Sequence, residues 1–191
     1  MVKERALLLI KPDGVKRGLI GKIISRFEEI GLKIIGMKMI QSNEELAKKH
    51  YPLQEEWIKQ VYEKTKAVYE KENKEFKYKE PIELATTLQN RSVSFLLEGP
   101  VIAIVLEGPH AIELVRKIVG STEPRQAVPG TIRGDFAMTE SYISSDLKDR
   151  IVKNLVHASD SIENAKREIS LWFKDNELCP DYKTLHEFYL G

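Results

Sequence analysis

The sequence contains a single cysteine, Cys179, among its 191 residues. One cysteine cannot form a disulfide within the chain, and no metal-ligand spacing surrounds it, so we expect a reducing, cytoplasmic setting. Long hydrophobic runs are also missing: the longest, at 6–10 and 101–106, fall far below the roughly 18 to 20 residues that a membrane-spanning helix needs. The first residues lead directly into a strand-like run, so we expect no signal peptide and no membrane partner.

A net charge of either sign is nearly absent, because 30 Lys and Arg residues face 29 Asp and Glu residues. No overall field therefore attracts nucleic acid, which is not an expected partner. Hydrophobic residues make up 42% of the chain and charged residues 31%, which is typical of a folded globular protein. A chain of this length can bury one sizeable core, and we expect residues 1–191 to form a single domain.

Apolar patterns alternate along the chain between two kinds. Short continuous apolar runs bounded by Gly or Pro predict buried strands, whereas apolar residues at helical spacing predict helices. The predicted strands lie at 6–10, 33–41, 101–106 and 151–157, and the predicted helices at 20–30, 43–50, 111–119 and 160–173. This alternation favours an α/β sandwich, with helices on at least one face of a central sheet.

Local signals predict how two of these helices begin. Asn43 is a plausible N-cap for the helix at 43–50. Asp160 and Glu163 have the spacing of a capping box, which places the start of the last helix at Asp160. Its inward face is predicted to comprise Ile162, Ala165, Ile169 and Trp172.

Two segments, at about 52–90 and 139–150, do not fit this plan and are predicted to be inserts. The first carries apolar residues at helical spacing among many Lys and Glu residues, so we expect an amphipathic, charged helical insert. Its apolar stripe consists of Trp57, Ile58, Val61 and Tyr62. The stripe either packs on its own subunit, which we favour because most amphipathic helices do so, or lies in a subunit interface.

A phosphate-binding loop of the P-loop type is excluded. The segment 18–22 resembles the end of that motif, but the motif requires Gly at position 16 and Ser or Thr at position 23. The chain has Lys16 and Ile23 instead. The glycines are therefore read as shaping a turn before a helix.

Of the four histidines, His157 has the most suggestive position. It lies where a predicted strand ends and a helix begins, a favoured ligand position in α/β folds. An imidazole of ordinary pKa is largely neutral at pH 7 and can attack phosphorus without a separate base. Glu168 could fix the ring tautomer by accepting from the other nitrogen, although a structural histidine is the simpler reading of position alone. His50, His110 and His186 are most simply packing or surface residues.

Cationic and hydroxyl side chains lie in and just before the Gly- and Pro-rich segment 121–134. Arg116 lies at a predicted helix end, Thr122 follows it, and Arg133 lies near the end of the segment. Guanidinium groups match phosphate oxygens bidentately, and Lys11, after the first strand, adds a point charge. Together with a nucleophilic histidine, these residues predict a phosphate site that needs no P-loop.

Six motifs occur in order outside the two predicted inserts. They are KPDGV at 11–15, RGLIG at 17–21, HY at 50–51, PGTIRGD at 129–135, NLVHASDS at 154–161 and EISLWF at 168–173. In sequence, order and spacing they closely resemble the nucleoside diphosphate kinase family, over nearly the whole chain outside the inserts.

The resemblance implies a fold, a reaction and an assembly. The implied fold is a ferredoxin-like βαββαβ sandwich, with helices covering a central antiparallel sheet. In the implied reaction a nucleoside triphosphate donates its γ-phosphoryl group to His157, and a nucleoside diphosphate then takes it, in a ping-pong cycle with Mg²⁺ on the phosphates. The family usually assembles as a homo-hexamer and sometimes as a tetramer.

The resemblance also assigns roles to individual positions. Asn154 matches the residue that reads the ribose hydroxyl, and Asp160 matches one near the water shell of the metal. Glu168 and Ser159 match residues that orient or assist the histidine. The positions that match phosphate and sugar contacts are Lys11, Tyr51, Arg116, Thr122 and Arg133.

The base pocket departs from the family pattern at both inserts. The family clamps the base with a Phe in the interval that the first insert occupies, and residues 88–91 offer no aromatic side chain. A Tyr or Phe from the insert could substitute for it. The second insert lies near the position of the family's other base contact.

Two other functions stay open at this point. A non-enzymatic relative would bind nucleotides or recruit partners through the insert without turnover. A histidine-dependent phosphatase would release phosphate to water rather than to a diphosphate.

Overall fold

The computed structural model describes residues 2–190, and within this range four strands form one antiparallel sheet. The strands are β1 (Lys3–Ile10), β2 (Lys33–Ile40), β3 (Val101–Pro109) and β4 (Val156–Ala158). Their spatial order is β2-β3-β1-β4, and each neighbouring pair is antiparallel. With helices between β1 and β2 and between β3 and β4, this order confirms the ferredoxin-like topology.

Helices connect and cover these strands. They are α1 (Pro12–Lys16), α2 (Ile20–Glu28), α3 (Glu44–His50), α4 (Glu55–Lys71), α5 (Pro81–Leu97), α6 (Ala111–Val119), α7 (Ile132–Phe136), α8 (Tyr142–Asp146), α9 (Ile162–Trp172) and α10 (Leu185–Leu190). In the described range, none combines the length and the apolarity needed to cross a membrane.

Helices cover both faces of the sheet, and β1 is therefore buried on both sides. Alternate residues of β1 point to opposite faces, as the pleat of a strand requires. Leu8 packs in a cluster with Phe27 of α2 and Val115 of α6, whereas Leu9 packs in a second cluster with Leu96 of α5. This second cluster also contains Trp172 and therefore anchors α9, the helix that follows β4, on this face of the sheet.

The last strand is shorter than the predicted span of 151–157, which is a correction. Only Val156–Ala158 pairs with β1. Leu155 has φ = 68°, a left-handed conformation that a ladder of strand hydrogen bonds does not accommodate. Its N–H donates to Asp13 Oδ2 at 3.1 Å, and the N–H of Lys153 donates to Glu140 Oε2 at 3.0 Å, so side chains replace a neighbouring strand here.

The predicted helix starts were right in one case and wrong in the other. Asn43 caps α3 by accepting from the N–H of Leu46 at 2.8 Å, as predicted. Helix α9 begins after Asp160, because Ser161 is its N-cap and accepts from the N–H of Asn164 at 3.1 Å. Ile162 therefore lies in the first turn and is 46% exposed rather than inward-facing.

The segment 52–90 holds two helices rather than one. Helix α4 packs against α5, and α5 continues seven residues past Asn90 to Leu97 as part of the core. The loop between the helices is filled by Phe76, whose ring lies 5.3 Å from that of Tyr62 and 5.5 Å from that of Tyr69, centroid to centroid. In segment 121–134, predicted to be loop, a 3-10 turn at Pro124–Gln126 and the start of α7 are ordered.

Candidate active site

His157 projects from β4 beside a buried carboxylate of α9. Its Nε2 lies 3.0 Å from Glu168 Oε1. The other carboxylate oxygen of Glu168 accepts from Ser159 Oγ at 2.6 Å, and Ser159 Oγ accepts from the N–H of Leu7 at 3.0 Å. Because an ionised carboxylate only accepts, the proton of a neutral His157 ring lies on Nε2 and Nδ1 keeps its lone pair. The three predicted residues His157, Glu168 and Ser159 are thus brought together.

His50 also belongs to this cluster. The sequence predicts it to be a packing or surface residue and does not place it beside His157. Its buried ring lies 4.4 Å from the His157 ring, nearly perpendicular to it, and Trp172 Nε1 donates to its Nδ1 at 3.2 Å. Burial, and then the charges of His157, Arg167 and Lys11, lower the pKa of His50 well below its usual value. A neutral His50 therefore packs on the His157 ring without adding charge. Its place in the HY motif was the one available signal.

Lys11 lies at the end of β1 and is almost fully buried. Its Nζ donates to Asn154 Oδ1 at 2.8 Å, and Asn154 Nδ2 donates to the carbonyl of Thr122 at 2.8 Å. Burial, reinforced by the charge of Arg133, lowers the pKa of Lys11 to about 7. Asn154 thus links Lys11 to the segment that carries Thr122.

Arg133 is buried in the first turn of α7 and is held by backbone carbonyls alone. Its three donors reach the carbonyl oxygens of Asn154 at 3.1 Å, Gly120 at 2.9 Å and Val156 at 2.8 Å. These partners are carbonyls rather than carboxylates, so the contacts leave the positive charge of Arg133 available to an anion. Burial lowers the pKa of Arg133 to about 10, which still leaves it charged at pH 7.

The turn whose carbonyl accepts from Arg133 Nη1 requires glycine at position 120. Gly120 has φ = 82°, and a Cβ built there would lie 2.5 Å from Thr131 Oγ1. Thr131 is the N-cap of α7, since its Oγ1 accepts from the N–H of Gly134 at 3.0 Å. The close approach of Gly120 to Thr131 therefore fixes the start of α7 relative to the end of α6.

A cavity of about 930 Å³ is lined by His157, Glu168, His50, Lys11, Asn154 and Arg133. The remaining predicted residues also line it: Arg116 and Thr122 are exposed, Tyr51 is half-buried and Asp160 is exposed at the start of α9. Burial raises the pKa of Tyr51, so its hydroxyl stays protonated and can donate. Of the residues singled out for binding, metal and catalysis, only Ser159 does not line the cavity, because it lies behind Glu168.

Both inserts supply part of the cavity wall, which the sequence did not specify residue by residue. Helix α4 and the loop after it contribute aromatic side chains, α5 contributes Arg91, and α8 contributes Tyr142. The aromatic wall residues of the first insert are Trp57, Tyr69 and Tyr78. The periodicity of the insert predicted a helix, but only the folded chain shows which face borders the cavity.

Asp160 is the residue that fits a magnesium ion carried by phosphates. Mg²⁺ prefers oxygen ligands, keeps several waters and is held by one or two carboxylates together with substrate phosphates. Asp160 offers an exposed carboxylate at the cavity, oriented by Asn164 Nδ2 at 2.7 Å. In residues 2–190 one group of three potential metal ligands clusters within 4.8 Å, namely His50, His157 and Glu168. Two of its three ligands are imidazoles, which do not suit Mg²⁺ because that ion prefers oxygen ligands.

Comparison with known proteins places this arrangement in a family. A sequence model of the family described as "Nucleoside diphosphate kinase" matches residues 4–178. The nucleoside diphosphate kinase of Pyrococcus abyssi is 45% identical over 187 residues, which cover 98% of this chain and 94% of that protein. The corresponding protein of Pyrobaculum aerophilum is 41% identical over 182 residues, or 93% of this chain and 99% of that protein.

Solved structures agree with the sequence comparison. A crystal structure of an NDP kinase from Pyrobaculum aerophilum superposes with a TM-score of 0.88 at 40% identity, covering 93% of this chain and all of that one. A structure of the Borrelia burgdorferi nucleoside-diphosphate kinase, described as a transition-state mimic with bound vanadate and ADP, has a TM-score of 0.80 at 39% identity and covers 99% of this chain and 97% of that one. The chain therefore belongs to the nucleoside diphosphate kinase family of phosphotransferases.

Proposed function

We propose that the protein transfers the γ-phosphoryl group of a nucleoside triphosphate to a nucleoside diphosphate through a phosphohistidine at His157. The observation that carries this proposal is the hydrogen bond between His157 Nε2 and Glu168, which leaves Nδ1 as the nucleophile beside a cationic cavity. The Nδ1 lone pair forms a bond to the γ-phosphorus while the bond to the β–γ bridging oxygen breaks. The diphosphate leaves with that electron pair, and a second diphosphate reverses the step.

The surrounding residues supply positioning and charge, which are the main requirements of phosphoryl transfer. Arg133 is fixed by three carbonyls and does not have to reorganise when phosphate charge develops. Lys11 and the exposed Arg116 and Thr122 add donors along the cavity, and the protonated Tyr51 hydroxyl adds another. Asn154 uses one amide N–H and one oxygen lone pair in its bonds to Thr122 and Lys11, so its second N–H and second lone pair can serve a ribose hydroxyl.

Asp160 would hold Mg²⁺ through water while the nucleotide phosphates carry the ion. The ion would neutralise phosphate charge as the group is transferred. Asp160 needs no movement of the buried core to do this, because its carboxylate is already exposed at the cavity.

Two half-reactions test the proposed function separately. Incubation with γ-labelled ATP is expected to give a phosphoprotein that is labile in acid and stable in base, and that discharges onto GDP after the free ATP is removed. Label that never appears would support the non-enzymatic alternative. Label released to water as fast as to GDP would support the phosphatase. Either result would overturn the proposal.

We further infer a cytoplasmic homo-oligomer, a hexamer with a tetramer as the alternative. The cytoplasmic setting is supported by the single free cysteine. Met37 and Met39 of the edge strand β2 are 55% and 59% exposed, which supports burial against another copy. Light scattering on the purified protein measures the subunit number, and a monomer would contradict this inference.

Nucleotide binding is expected to take up a proton at Lys11. At pH 8 a lysine whose pKa is about 7 is mostly neutral, and bound phosphates raise its pKa by favouring the charged form. The affinity for ADP should therefore fall as the pH rises above about 7. Titration calorimetry at pH 8 in two buffers of different ionisation enthalpy should show uptake approaching one proton.

Two variants control this measurement. Lys11→Met should abolish the buffer dependence, whereas Lys59→Met, on the exposed face of α4, should leave it unchanged. If wild-type binding at pH 8 shows no buffer dependence, Lys11 does not act as described.

A further inference from the structure

Arg91 of α5 is held by both carboxylates of the second insert that face it. Its side chain is 9% exposed, its Nη1 donates to Asp146 at 2.6 Å and its Nη2 donates to Asp149 at 2.5 Å. Its Nε is buried and has no hydrogen-bond partner within residues 2–190. The guanidinium plane is thus fixed through its two outer nitrogens, while the inner N–H has spare donor capacity.

Asp146 also joins the first insert to the second. The hydroxyl of Tyr69, on α4, donates to Asp146 Oδ2, and the hydroxyl of Tyr78, in the loop after α4, lies 3.3 Å from Oδ1. Both tyrosine rings contact Phe76. Because three hydrogen-bonding side chains converge on one carboxylate, the orientation of Arg91 depends on both inserts being in place.

Arg91 borders the same cavity as His157, at the helical segment where no aromatic side chain is available. Leu88, one turn earlier on α5, and Ile151 line the cavity too. A planar guanidinium stacks on π faces, and one that is already immobilised loses little entropy in doing so. A nucleobase is the part of a nucleotide that presents such a face, whereas the phosphates match Arg116 and Arg133.

We propose that Arg91, clamped by Asp146 and Asp149, is the platform on which the nucleotide base stacks. The inserts then set base affinity by holding this platform, in place of an aromatic clamp. Stacking on a guanidinium is tolerant of base identity because every base has a π face. The proposal rests on the proposed function, since it takes a nucleotide as the occupant of the cavity.

The test compares a donor that has a base with one that has none. Labelling by γ-labelled ATP is measured beside labelling by γ-labelled 1-deoxyribose 5-triphosphate, which keeps the sugar and phosphates. Arg91→Leu is expected to lower kcat/KM for ATP by about 5-fold to 150-fold, the range that base stacking supports. The value for the abasic donor should stay at the wild-type level. Arg91→Lys should behave like Arg91→Leu, because lysine keeps the charge and loses the plane.

A third variant weakens the clamp without touching the platform. Asp149 is 90% exposed and has φ = 50°, so Asp149→Gly removes one carboxylate at a position where glycine is unstrained. It should produce the same base-dependent loss by a smaller factor, and it decides the matter if Arg91→Leu does not fold. The matched control is Arg5→Leu, which breaks a 2.9 Å ion pair with Glu107 away from the cavity and should affect neither donor.

The outcomes distinguish a failure of base stacking on Arg91 from a failure of the proposed phosphoryl transfer through His157. If wild-type protein is labelled by neither donor, the proposed function fails and the platform fails with it. If the wild type is labelled but the Arg91 variants lose both donors equally, or lose neither, the platform alone is overturned. If Arg91→Lys keeps the wild-type kcat/KM for ATP relative to the abasic donor, the platform is also overturned. The positive charge of residue 91, rather than stacking, would then be responsible for the preference.

Discussion

Replacing His157 by glutamine is expected to abolish both phosphoprotein formation and transfer to diphosphates. Glutamine fills a similar volume and can still hydrogen-bond to Glu168, but it has no nitrogen lone pair able to attack phosphorus. Turnover should therefore fall to background, while ADP still binds because Lys11, Arg116 and Arg133 are untouched. A coupled assay of GDP phosphorylation, run beside the labelling assay and an ADP titration, measures all three quantities.

The matched control is His186→Gln, since His186 is exposed on α10 and does not line the cavity. That variant should label and turn over at the wild-type rate. Labelling that survives in His157→Gln would place the phosphoryl carrier elsewhere. Loss of labelling together with loss of ADP binding would show that the substitution damages the cavity, not only the nucleophile.

Replacing Glu168 by glutamine is expected to lower kcat by about 10²- to 10⁴-fold, the cost of presenting a histidine in the wrong tautomer. Ser159 Oγ donates to Oε2 of Glu168, so a glutamine there would keep its oxygen towards Ser159 and turn its NH₂ towards His157. An amide N–H at 3.0 Å favours a lone pair on Nε2, which moves the ring proton to Nδ1 and removes the nucleophile. The rate of labelling by ATP measures this effect directly.

Glu163→Gln is the matched control, because Glu163 lies on the same helix and is exposed. It should leave the rate unchanged, and both variants should bind ADP with nearly wild-type affinity and unfold at similar temperatures. A Glu168→Gln rate within about three-fold of wild type would show that the carboxylate does not set the tautomer. A large loss of ADP affinity would show that Glu168 acts through the shape of the cavity.

The sequence predicts the fold well wherever one local signal dominates. The apolar runs of β1 and β3 and the apolar stripes of α2 and α6 identified those elements, because burial on both faces of a sheet selects such patterns. The prediction of a strand failed for residues 151–155, although their apolar residues are typical of one. There the left-handed Leu155 and side-chain acceptors such as Asp13 replace the missing ladder, and both are tertiary effects.

The candidate site was predictable in its residues but not in its connections. The motifs pointed to His157, Glu168 and Ser159, yet the chain of hydrogen bonds from Leu7 through Ser159 to His157 depends on the pairing of β1 with β4. The local sequence gives no such signal for His50, because an isolated histidine beside an aromatic residue is most simply a packing residue. It does pack, but against the His157 ring.

The inserts limited the prediction of the base pocket. The periodicity of residues 52–90 predicts a helix without saying what the helix meets. The clamp around Arg91 joins residues that are 55 and 58 positions apart in the chain. No local pattern encodes such a pairing, because it arises only when α5 and the 139–150 segment pack on the same side of the cavity.

We infer that His157 carries the phosphoryl group on Nδ1, because Glu168 occupies Nε2. The most direct test is to label the protein with ATP, denature it at alkaline pH and identify the phosphohistidine isomer by ³¹P NMR. Phosphate is expected to be bonded to Nδ1 of His157. Phosphate bonded to Nε2 would contradict it, because that nitrogen could react only if the hydrogen bond to Glu168 did not hold the ring as described.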